Sequence, residues 1–273
     1  MKWLHSKALA LQKKKVKQME RLKDYAGQFF LCFMFFSRLP LPGFLERLVT
    51  EDHQLGKSVA YFPIAGFFIA LLPASTWFLT SLFFPPLLAA AIAIFAGIAT
   101  TGALHEDGFA DSIEGLCATS DKTRALEIMR DSRIGAYGGL ALFATTALRW
   151  AALASLGPIT GALALLISHS GARAAMTPAF SLAVYAREQG LASQVANNIS
   201  SNAVFLAIAI AALIAFALGQ FMALTALIIG IFMAYLALFW LKHRLGGYTG
   251  DGLGLMEQVA EITIMLILVA AWA

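Results

Sequence analysis

Seven apolar stretches run through the chain from residue 58 onward. A membrane-spanning helix needs about 20 mostly apolar residues, and each stretch is close to or above that length. The stretches lie at 58–80, 86–104, 136–156, 160–184, 202–218, 221–241 and 255–272. The pattern therefore predicts an all-α, polytopic membrane protein with about seven transmembrane helices.

The Lys and Arg residues are distributed unevenly between the connections. Nearly all of them lie before residue 58 or in the segments 105–135, 185–201 and 242–254. The short connections that alternate with these segments contain none. Because basic connections stay on the cytoplasmic side of a membrane, this alternation predicts a cytoplasmic N-terminus and cytoplasmic polar connections.

The region before the first predicted span contains two further elements. Residues 1–24 hold eight Lys/Arg and two acidic residues, with apolar residues at roughly helical spacing. This pattern is typical of an amphipathic helix lying on an anionic leaflet, and a disordered basic arm fits it equally. The apolar run from Ala26 to Ser37 is too short to span, which predicts a re-entrant or interfacial segment. We therefore expect a basic extension at 1–24 and a single transmembrane domain at 25–273.

The composition excludes an ordinary soluble domain. Of the 273 residues, 59% are hydrophobic and only 13% are charged. The formal net charge is +4, and residues 1–24 alone carry +6 (eight basic minus two acidic), so the remainder carries −2. The basic charge thus belongs to the tail, and a nucleic-acid partner is not expected.

An acidic segment directly follows the second predicted span. Four of the eleven residues from His105 to Gly115 are acidic. On a helix with about 100° per residue, Asp107, Asp111 and Glu114 fall within about 60° of one another. Carboxylates on one stripe repel each other unless a cation lies among them, and oxygen ligands suit Mg²⁺ or Mn²⁺. The segment predicts a divalent metal site at the membrane edge, and hence chemistry on a phosphate.

The segment 121–139 lies on the same predicted side of the membrane. Arg133 has the planar fork that can hold two phosphate oxygens. Asp131 is far from the acidic stripe if one helix continues, so joining the metal site would require a turn. The alternative interpretation is an exposed amphipathic helix with several ion pairs on its surface.

A glycine-rich segment, 246–254, connects the last two predicted spans. Glycines such as Gly247 and Gly250 let backbone N–H groups approach a phosphate closely, although a flexible connector is the simpler interpretation. Asp251 at its centre is a further candidate metal ligand.

Ionisable residues also lie within the predicted spans, where each costs roughly 2.5–3.5 kcal/mol. Arg173 is a candidate for contact with an anionic substrate, whereas Arg149 is interpreted as the partner of an interior carboxylate. Glu257 and Glu261 lie one helical turn apart on one face. His105, two residues before the first acid of the stripe, is a candidate base or partner of a metal ligand.

Several motifs resemble those of one family, in the same order along the chain. They are His105-x-Asp107-Gly108-x-Ala110-Asp111, Met129-Arg130-Asp131-Ser132-Arg133-Ile134-Gly135, Tyr185-Ala186-Arg187-Glu188 and Gly246-Gly247-Tyr248-Thr249-Gly250-Asp251, preceded by Ser37-Arg38-Leu39-Pro40. Together they extend over nearly the whole chain beyond the basic tail. The chain resembles the cobalamin-5′-phosphate synthase family, also called adenosylcobinamide-GDP ribazoletransferase.

The resemblance implies an integral enzyme of the inner membrane with a cytoplasmic active site, and it is compatible with a homo-oligomer. Such an enzyme would join α-ribazole, or α-ribazole 5′-phosphate, to adenosylcobinamide-GDP. It would yield adenosylcobalamin or its phosphate and release GMP, with Mg²⁺ as the cofactor.

The site residues follow from the same resemblance and from the chemistry above. Asp107, Asp111, Glu114 and Asp251 would hold Mg²⁺. Phosphate oxygens would be bound by Arg38, Arg133, Arg173 and Arg187, together with Gly247 and Gly250. His105 or a carboxylate such as Asp131 would accept the hydroxyl proton. The chain departs from the family pattern at Glu106, where an apolar residue is common, and at Glu114, where Asp is common.

Two other functions compete with this interpretation. A CDP-alcohol phosphotransferase also places Asp-Gly-x-x-Ala near a membrane metal, but its signature continues with Arg, where this chain has Asp111. An ion-coupled transporter would explain the charges within spans and the glycine-broken segments. Against a transporter, no inverted repeat is visible and the acidic residues gather at one face.

Overall fold

The protein folds entirely into helices. The computed structural model describes residues 2–51, 53–187 and 199–273, with side chains from residue 14 onward. The helices are α1 (Lys2–Phe36), α2 (Gly43–Glu46), α3 (Phe62–Thr80), α4 (Pro86–Thr101), α5 (Leu104–Ala118), α6 (Lys122–Ile128), α7 (Ala136–Ala154), α8 (Pro158–Ala175), α9 (Ala179–Leu182), α10 (Ser201–Leu245) and α11 (Gly250–Trp272). Within the described ranges no strand forms, and one isolated bridge pairs Tyr185 with Tyr248. The predicted all-α class is confirmed.

Several helices are long and apolar enough to cross a membrane. Among the described residues these are Val59–Thr80, Ser201–Leu245 and Gly250–Trp272, with the bent pair α4 and α5 as a fourth if it counts as one span. Helices also form in the predicted spans 136–156 and 160–184. Helix α8 ends at Ala175, earlier than predicted, because the residue before Pro178 is disfavoured in a helix. The total of seven spans stays a prediction.

Helix α10 contains two of the predicted spans, 202–218 and 221–241. Its backbone leaves helical geometry at Gly219 (φ −147°) and at Gln220 (φ 52°). These two residues are the connection that the hydropathy pattern predicts between the spans. The positive φ of Gln220 is uncommon for a residue other than glycine. The break therefore divides α10 into two apolar segments at the predicted position.

The two predicted N-terminal elements form a single helix. Helix α1 runs without interruption from Lys2 to Phe36, so no re-entrant turn forms in the described stretch after Ala26. The sequence offers no proline in this range, and Lys, Leu, Gln, Met and Ala all favour helix. The helix ends just before Ser37, and Pro40 and Pro42 keep the following segment extended.

A sharp corner between α4 and α5 sets the direction of the acidic segment. The two helix axes differ by 88°. Gly102 and Ala103 make the corner with left-handed backbone conformations, φ 65° and 57°. The Arg38 N–H donates to the Thr100 carbonyl at 2.8 Å, which fastens the corner to the end of α1. Helix α5 therefore leaves the line of α4 and crosses the bundle.

Helix α11 is the centre of the bundle, because it packs against α5, α7, α8 and α10. Its buried face includes Met256, Ile264 and Leu268. On the outside, large apolar side chains such as Phe95 and Phe143 are 72% and 74% exposed. Such an apolar exterior suits a lipid-facing bundle and would make a soluble protein aggregate.

Candidate active site

Helices α5 and α11 touch through two glycines. A Cβ at Gly108 would lie 3.0 Å from the Cα and from the carbonyl oxygen of Asp251, and one at Gly254 would lie 2.9 Å from the carbonyl oxygen of His105. Any side chain at either position would push the two backbones apart, so this approach requires glycine. The crossing brings Asp107 of α5 and Asp251 of α11 to the wall of one cavity.

This cavity, of about 290 Å³, has a polar side and an aromatic side. Its polar wall consists of His105, Asp107, Arg187, Gly250 and Asp251. Its aromatic wall consists of Phe35, Phe36, Phe62, Phe180 and Tyr185. We call it the aromatic cavity. The aromatic wall had no counterpart in the sequence predictions, because its rings come from the ends of three helices and a loop.

A second cavity, of about 330 Å³, also has Asp107 in its wall. Its lining includes Asp107, Asp111, Arg130, Asp131 and Ser132, and we call it the polar cavity. The chain turns back after α6 ends at Ile128, and this is the turn that Asp131 needs to come near the acidic stripe. Arg130 was not predicted as a site residue, although it lies inside a family motif.

Two carboxylates at these cavities lack a cationic partner. Among the described residues, Asp107 and Asp111 form no ion pair, whereas Asp251 binds Arg187 with Oδ2 and Nη2 2.7 Å apart. Within the described ranges no three His, Cys, Asp or Glu side chains are arranged as a ready metal cluster. Mg²⁺ is commonly held by one or two carboxylates, completed by substrate phosphates and water. The oxygen donors of Asp107 and Asp111 fit that mode of binding.

Glu114 has a different partner from the other acids of the stripe. Its Oε2 accepts the N–H of Gly138 at 2.7 Å, at the start of α7. The N–H groups of a first helical turn lack intrahelical partners, and a carboxylate there also interacts favourably with the helix dipole. Although Glu114 lies on the predicted stripe, the structure therefore uses it to join α5 to α7.

His105 lies between the aromatic cavity and the interior. Its Nδ1 is 3.5 Å from Glu257 Oε1, and its Nε2 is buried without a partner among the described residues. Glu257 also accepts from Arg173 Nη1 at 3.1 Å. Arg173 is only 1% exposed, packs over the Phe36 ring and lines neither of the two cavities. The predicted phosphate contact of Arg173 finds no support in this position.

A buried ion cluster lies beyond His105. Arg149 Nη1 contacts Glu106 Oε1 at 2.9 Å and Glu261 Oε1 at 3.2 Å. His169 Nδ1 is 3.8 Å from the same Glu261 oxygen. The interpretation of Arg149 as the partner of interior carboxylates agrees with these contacts. Glu106 points to this cluster, away from Asp107, so it neither crowds nor supplements the acidic stripe.

The loop before α11 pairs with the segment that follows α9. The Tyr248 N–H donates to the Val184 carbonyl at 3.0 Å, and the Ala186 N–H donates to Tyr248 at 2.8 Å. A Cβ at Gly247 would fall 2.1 Å from the Val184 oxygen, so this glycine serves the loop contact rather than the cavity wall. Burial raises the pKa of Tyr248 to about 12, and its ring stays neutral. The pairing places Arg187 at the cavity. Glu188 of the same motif lies outside the described residues.

The remaining predicted arginines lie at the edge of the site. Arg133 is 87% exposed in its side chain, and its Nε donates to Asp131 Oδ1 at 3.0 Å. The hydrogen bonds from the side chain and backbone of Arg133 lower the pKa of Asp131 to about 2, so Asp131 is ionised at neutral pH. Arg38 is exposed at the corner of α4 and α5, where it covers Gly102. Neither Arg38 nor Arg133 lines the two cavities.

Comparison with known proteins confirms the resemblance drawn from the motifs. The family model for cobalamin-5-phosphate synthase matches residues 28–269. A Shewanella amazonensis protein named adenosylcobinamide-GDP ribazoletransferase is 32% identical over 263 residues, which cover 93% of this chain and 99% of the relative. A Rhizobium etli protein of the same name is 35% identical over 260 residues, covering 92% and 99%. No solved structure matches the chain.

Proposed function

Because the chain belongs to the cobalamin-5-phosphate synthase family, we propose that it joins α-ribazole, or α-ribazole 5′-phosphate, to adenosylcobinamide-GDP and releases GMP. The product would be adenosylcobalamin or its 5′-phosphate. The main support is the convergence of carboxylates, an arginine and a buried histidine where α5 crosses α11. Phosphoryl transfer needs these three elements: charge neutralisation, a phosphate clamp and a proton acceptor.

In the proposed reaction a ribose hydroxyl of ribazole attacks the phosphorus on the cobinamide side of the diphosphate. A new O–P bond forms, the P–O bond to GMP breaks, and the hydroxyl proton goes to a base. No Ser, Cys or Lys lines the described wall of the aromatic cavity, and Ser132 of the polar cavity has no hydrogen-bonded base among the described residues. An activated serine, cysteine or lysine nucleophile for a covalent enzyme intermediate is therefore not found at these walls. This favours direct in-line transfer between the two substrates.

The acidic residues, through Mg²⁺, and Arg187 would neutralise the negative charge of the phosphates. Asp107 and Asp111 would hold Mg²⁺, which when bound would neutralise the diphosphate and the departing phosphate. Arg187, now paired with Asp251, has a planar guanidinium with donors to spare for a phosphate oxygen. Gly250 begins α11 at the cavity wall, and the N–H groups of a first helical turn favour an anion.

His105 is the best-placed proton acceptor. Its Nε2 is unpartnered among the described residues, and its ring lines the aromatic cavity. Glu257, 3.5 Å from Nδ1, would keep the Nδ1 proton in place, and this leaves Nε2 as the basic nitrogen. Arg173 Nη1, 3.1 Å from the same Glu257 oxygen, would fix the position of that carboxyl group. The carboxylate–histidine pair of this proposal is a common way to orient a general base.

The membrane placement is also part of the proposal. On α1, the apolar side chains of Val16, Met19 and Leu22 are more than half exposed beside lysines, as in a helix lying on an anionic lipid surface. We place the α5–α11 crossing on the cytoplasmic side of the inner membrane, because the basic connections adjoin it. Both substrates would then reach the site from the cytosol.

The decisive experiment uses the full chain in liposomes. Incubation with adenosylcobinamide-GDP, α-ribazole and Mg²⁺ should yield equal amounts of GMP and a cobalamin, separated by chromatography. A parallel reaction with α-ribazole 5′-phosphate identifies the preferred acceptor. Absence of GMP with both acceptors, or release of CMP from a CDP-alcohol instead, would overturn the proposal.

A further inference from the structure

The two cavities that share Asp107 differ in the chemistry of their walls. The aromatic cavity is lined by five aromatic rings and Met176 as well as by its polar residues. The polar cavity is lined by Arg130, Asp131 and Ser132 together with Asp107 and Asp111. Because Asp107 belongs to both walls, ligands in the two cavities would meet beside one carboxylate. Such an arrangement suits a reaction between two unlike substrates.

The volume of the aromatic cavity limits what can enter it. Small-molecule sites in proteins measure roughly 300–1,000 Å³, and about 290 Å³ is at the lower end. A nucleoside fits such a space, whereas the corrin macrocycle with its side chains does not. The corrinoid must therefore remain outside, and only a small part of either substrate can occupy this cavity.

Three of the five rings in the aromatic wall are only partly buried and so offer surface to a ligand in the cavity. Phe36 and Phe62 are almost fully buried and pack edge to face, with centroids 4.8 Å apart. Phe35, Phe180 and Tyr185 are only partly buried, so part of each ring remains free at the cavity. A flat aromatic ligand gains from such faces beyond the area that it buries.

Two flat bases are available in the proposed reaction, the benzimidazole of ribazole and the guanine of the GDP group. Guanine carries several hydrogen-bonding groups on its edge, and each would lose water in this cavity without a matching partner on the aromatic wall. Dimethylbenzimidazole is apolar along its methylated edge and loses little hydration free energy in this cavity. The guanosine diphosphate instead matches the polar cavity, which offers Arg130, Asp131 and Ser132.

We propose that the aromatic cavity binds the dimethylbenzimidazole base of ribazole, stacked against Phe180. This inference rests on the proposed function and adds the site that selects the acceptor. The ribose then extends toward Asp107 and His105, where its hydroxyl meets the diphosphate. The apolar wall selects the acceptor by its base, and the polar cavity selects the donor by its nucleotide.

The test is binding of α-ribazole alone, measured by equilibrium dialysis with the full chain in nanodiscs. Phe180→Leu keeps apolar volume but removes the ring face, and should raise the Kd for α-ribazole about 3- to 10-fold. The matched control is Phe95→Leu, an exposed phenylalanine on α4, which should leave the Kd unchanged. Guanosine at the same concentration should not displace α-ribazole.

A catalytically impaired variant separates this inference from the proposed reaction. Asp111→Asn, in the wall of the polar cavity, should bind α-ribazole with the Kd of the unmodified protein even where turnover is lost. If the unmodified protein binds α-ribazole as expected but forms no GMP, the proposed reaction is wrong and the binding site stands. An unchanged Kd in Phe180→Leu, or displacement by guanosine, would overturn the assignment of the base.

Discussion

The Cα of Gly108 faces Asp251 so closely that an added Cβ would lie 3.0 Å from the Asp251 Cα. This backbone contact is what sets Asp107 and Asp251 at one cavity. Because the neighbouring atoms are backbone, they cannot move aside as a flexible side chain would. The geometry of the site thus depends on Gly108, which has no side chain and takes no part in the reaction.

Gly108→Ala should therefore lower the activity of the protein. The new methyl group would push α5 away from α11 by a few tenths of an ångström. Because a shift of about 1 Å in a reacting group can lower a rate about 100-fold, this smaller shift should lower the rate about 3- to 10-fold. The measurement is GMP release in liposomes. The control is Gly139→Ala in α7, where a Cβ meets nothing within 4 Å and should be tolerated. Equal activity of the two variants would show that the close crossing is not needed.

Asp111→Asn should lower turnover by at least about 100-fold, because a neutral amide cannot balance the charge of a divalent ion. Asn keeps one oxygen that can bind Mg²⁺ but loses the negative charge. The Mg²⁺ concentration for half-maximal rate should therefore also rise. Glu127→Gln, at an exposed ion pair on α6, serves as the control for loss of a carboxylate. A normal Mg²⁺ dependence in Asp111→Asn would remove this residue from the metal site.

The local part of the site could be predicted from the sequence. Helical periodicity placed Asp107 and Asp111 on one stripe, and both do line the polar cavity. Periodicity within one helix could not show that Glu114 binds the start of α7, because that depends on where Gly138 lies in the fold. Position on a stripe is therefore a necessary condition for a shared site, and not a sufficient one.

Contacts between distant segments could not be predicted. Nothing in the sequence pairs His105 with Glu257, since their approach follows from the corner at Gly102 and from the α5–α11 crossing. Similarly, the run from Ala26 to Ser37 was interpreted from its length and its charged flanks, whereas helix α1 continues from the basic tail into it because no proline interrupts it. Hydropathy predicted the helices well. The partners of individual side chains depend on how the helices pack, and hydropathy does not contain that information.

Arg149→Met should destabilise the fold without touching either cavity. It would leave Glu106 and Glu261 buried without their cation, and such a loss costs about 3–5 kcal/mol. The control is Arg124→Met, which breaks an exposed pair worth at most about 1 kcal/mol. The measurement is the unfolding midpoint in detergent. Equal midpoints for the two variants would mean that the buried cluster contributes nothing to stability.

His105→Asn tests the proton acceptor. If Nε2 accepts the hydroxyl proton, kcat should fall about 10²- to 10⁴-fold while the KM of each substrate changes little. The pH profile is the sharper readout. A base must be neutral to accept a proton, so the rate of the unmodified enzyme should fall in acid as His105 becomes protonated. That acid limb should be absent in the variant.

His243→Asn, at the exposed end of α10, is the matched control and should keep both the rate and the acid limb. Glu257→Gln should lower kcat as well, because the amide oxygen can still accept from Nδ1 but lacks the negative charge that makes Nε2 a stronger base. A merely structural role for Glu257 would lower the unfolding midpoint and leave the position of the acid limb unchanged. Persistence of the acid limb in His105→Asn would assign the proton to another group, for which Asp131 at the polar cavity is the next candidate.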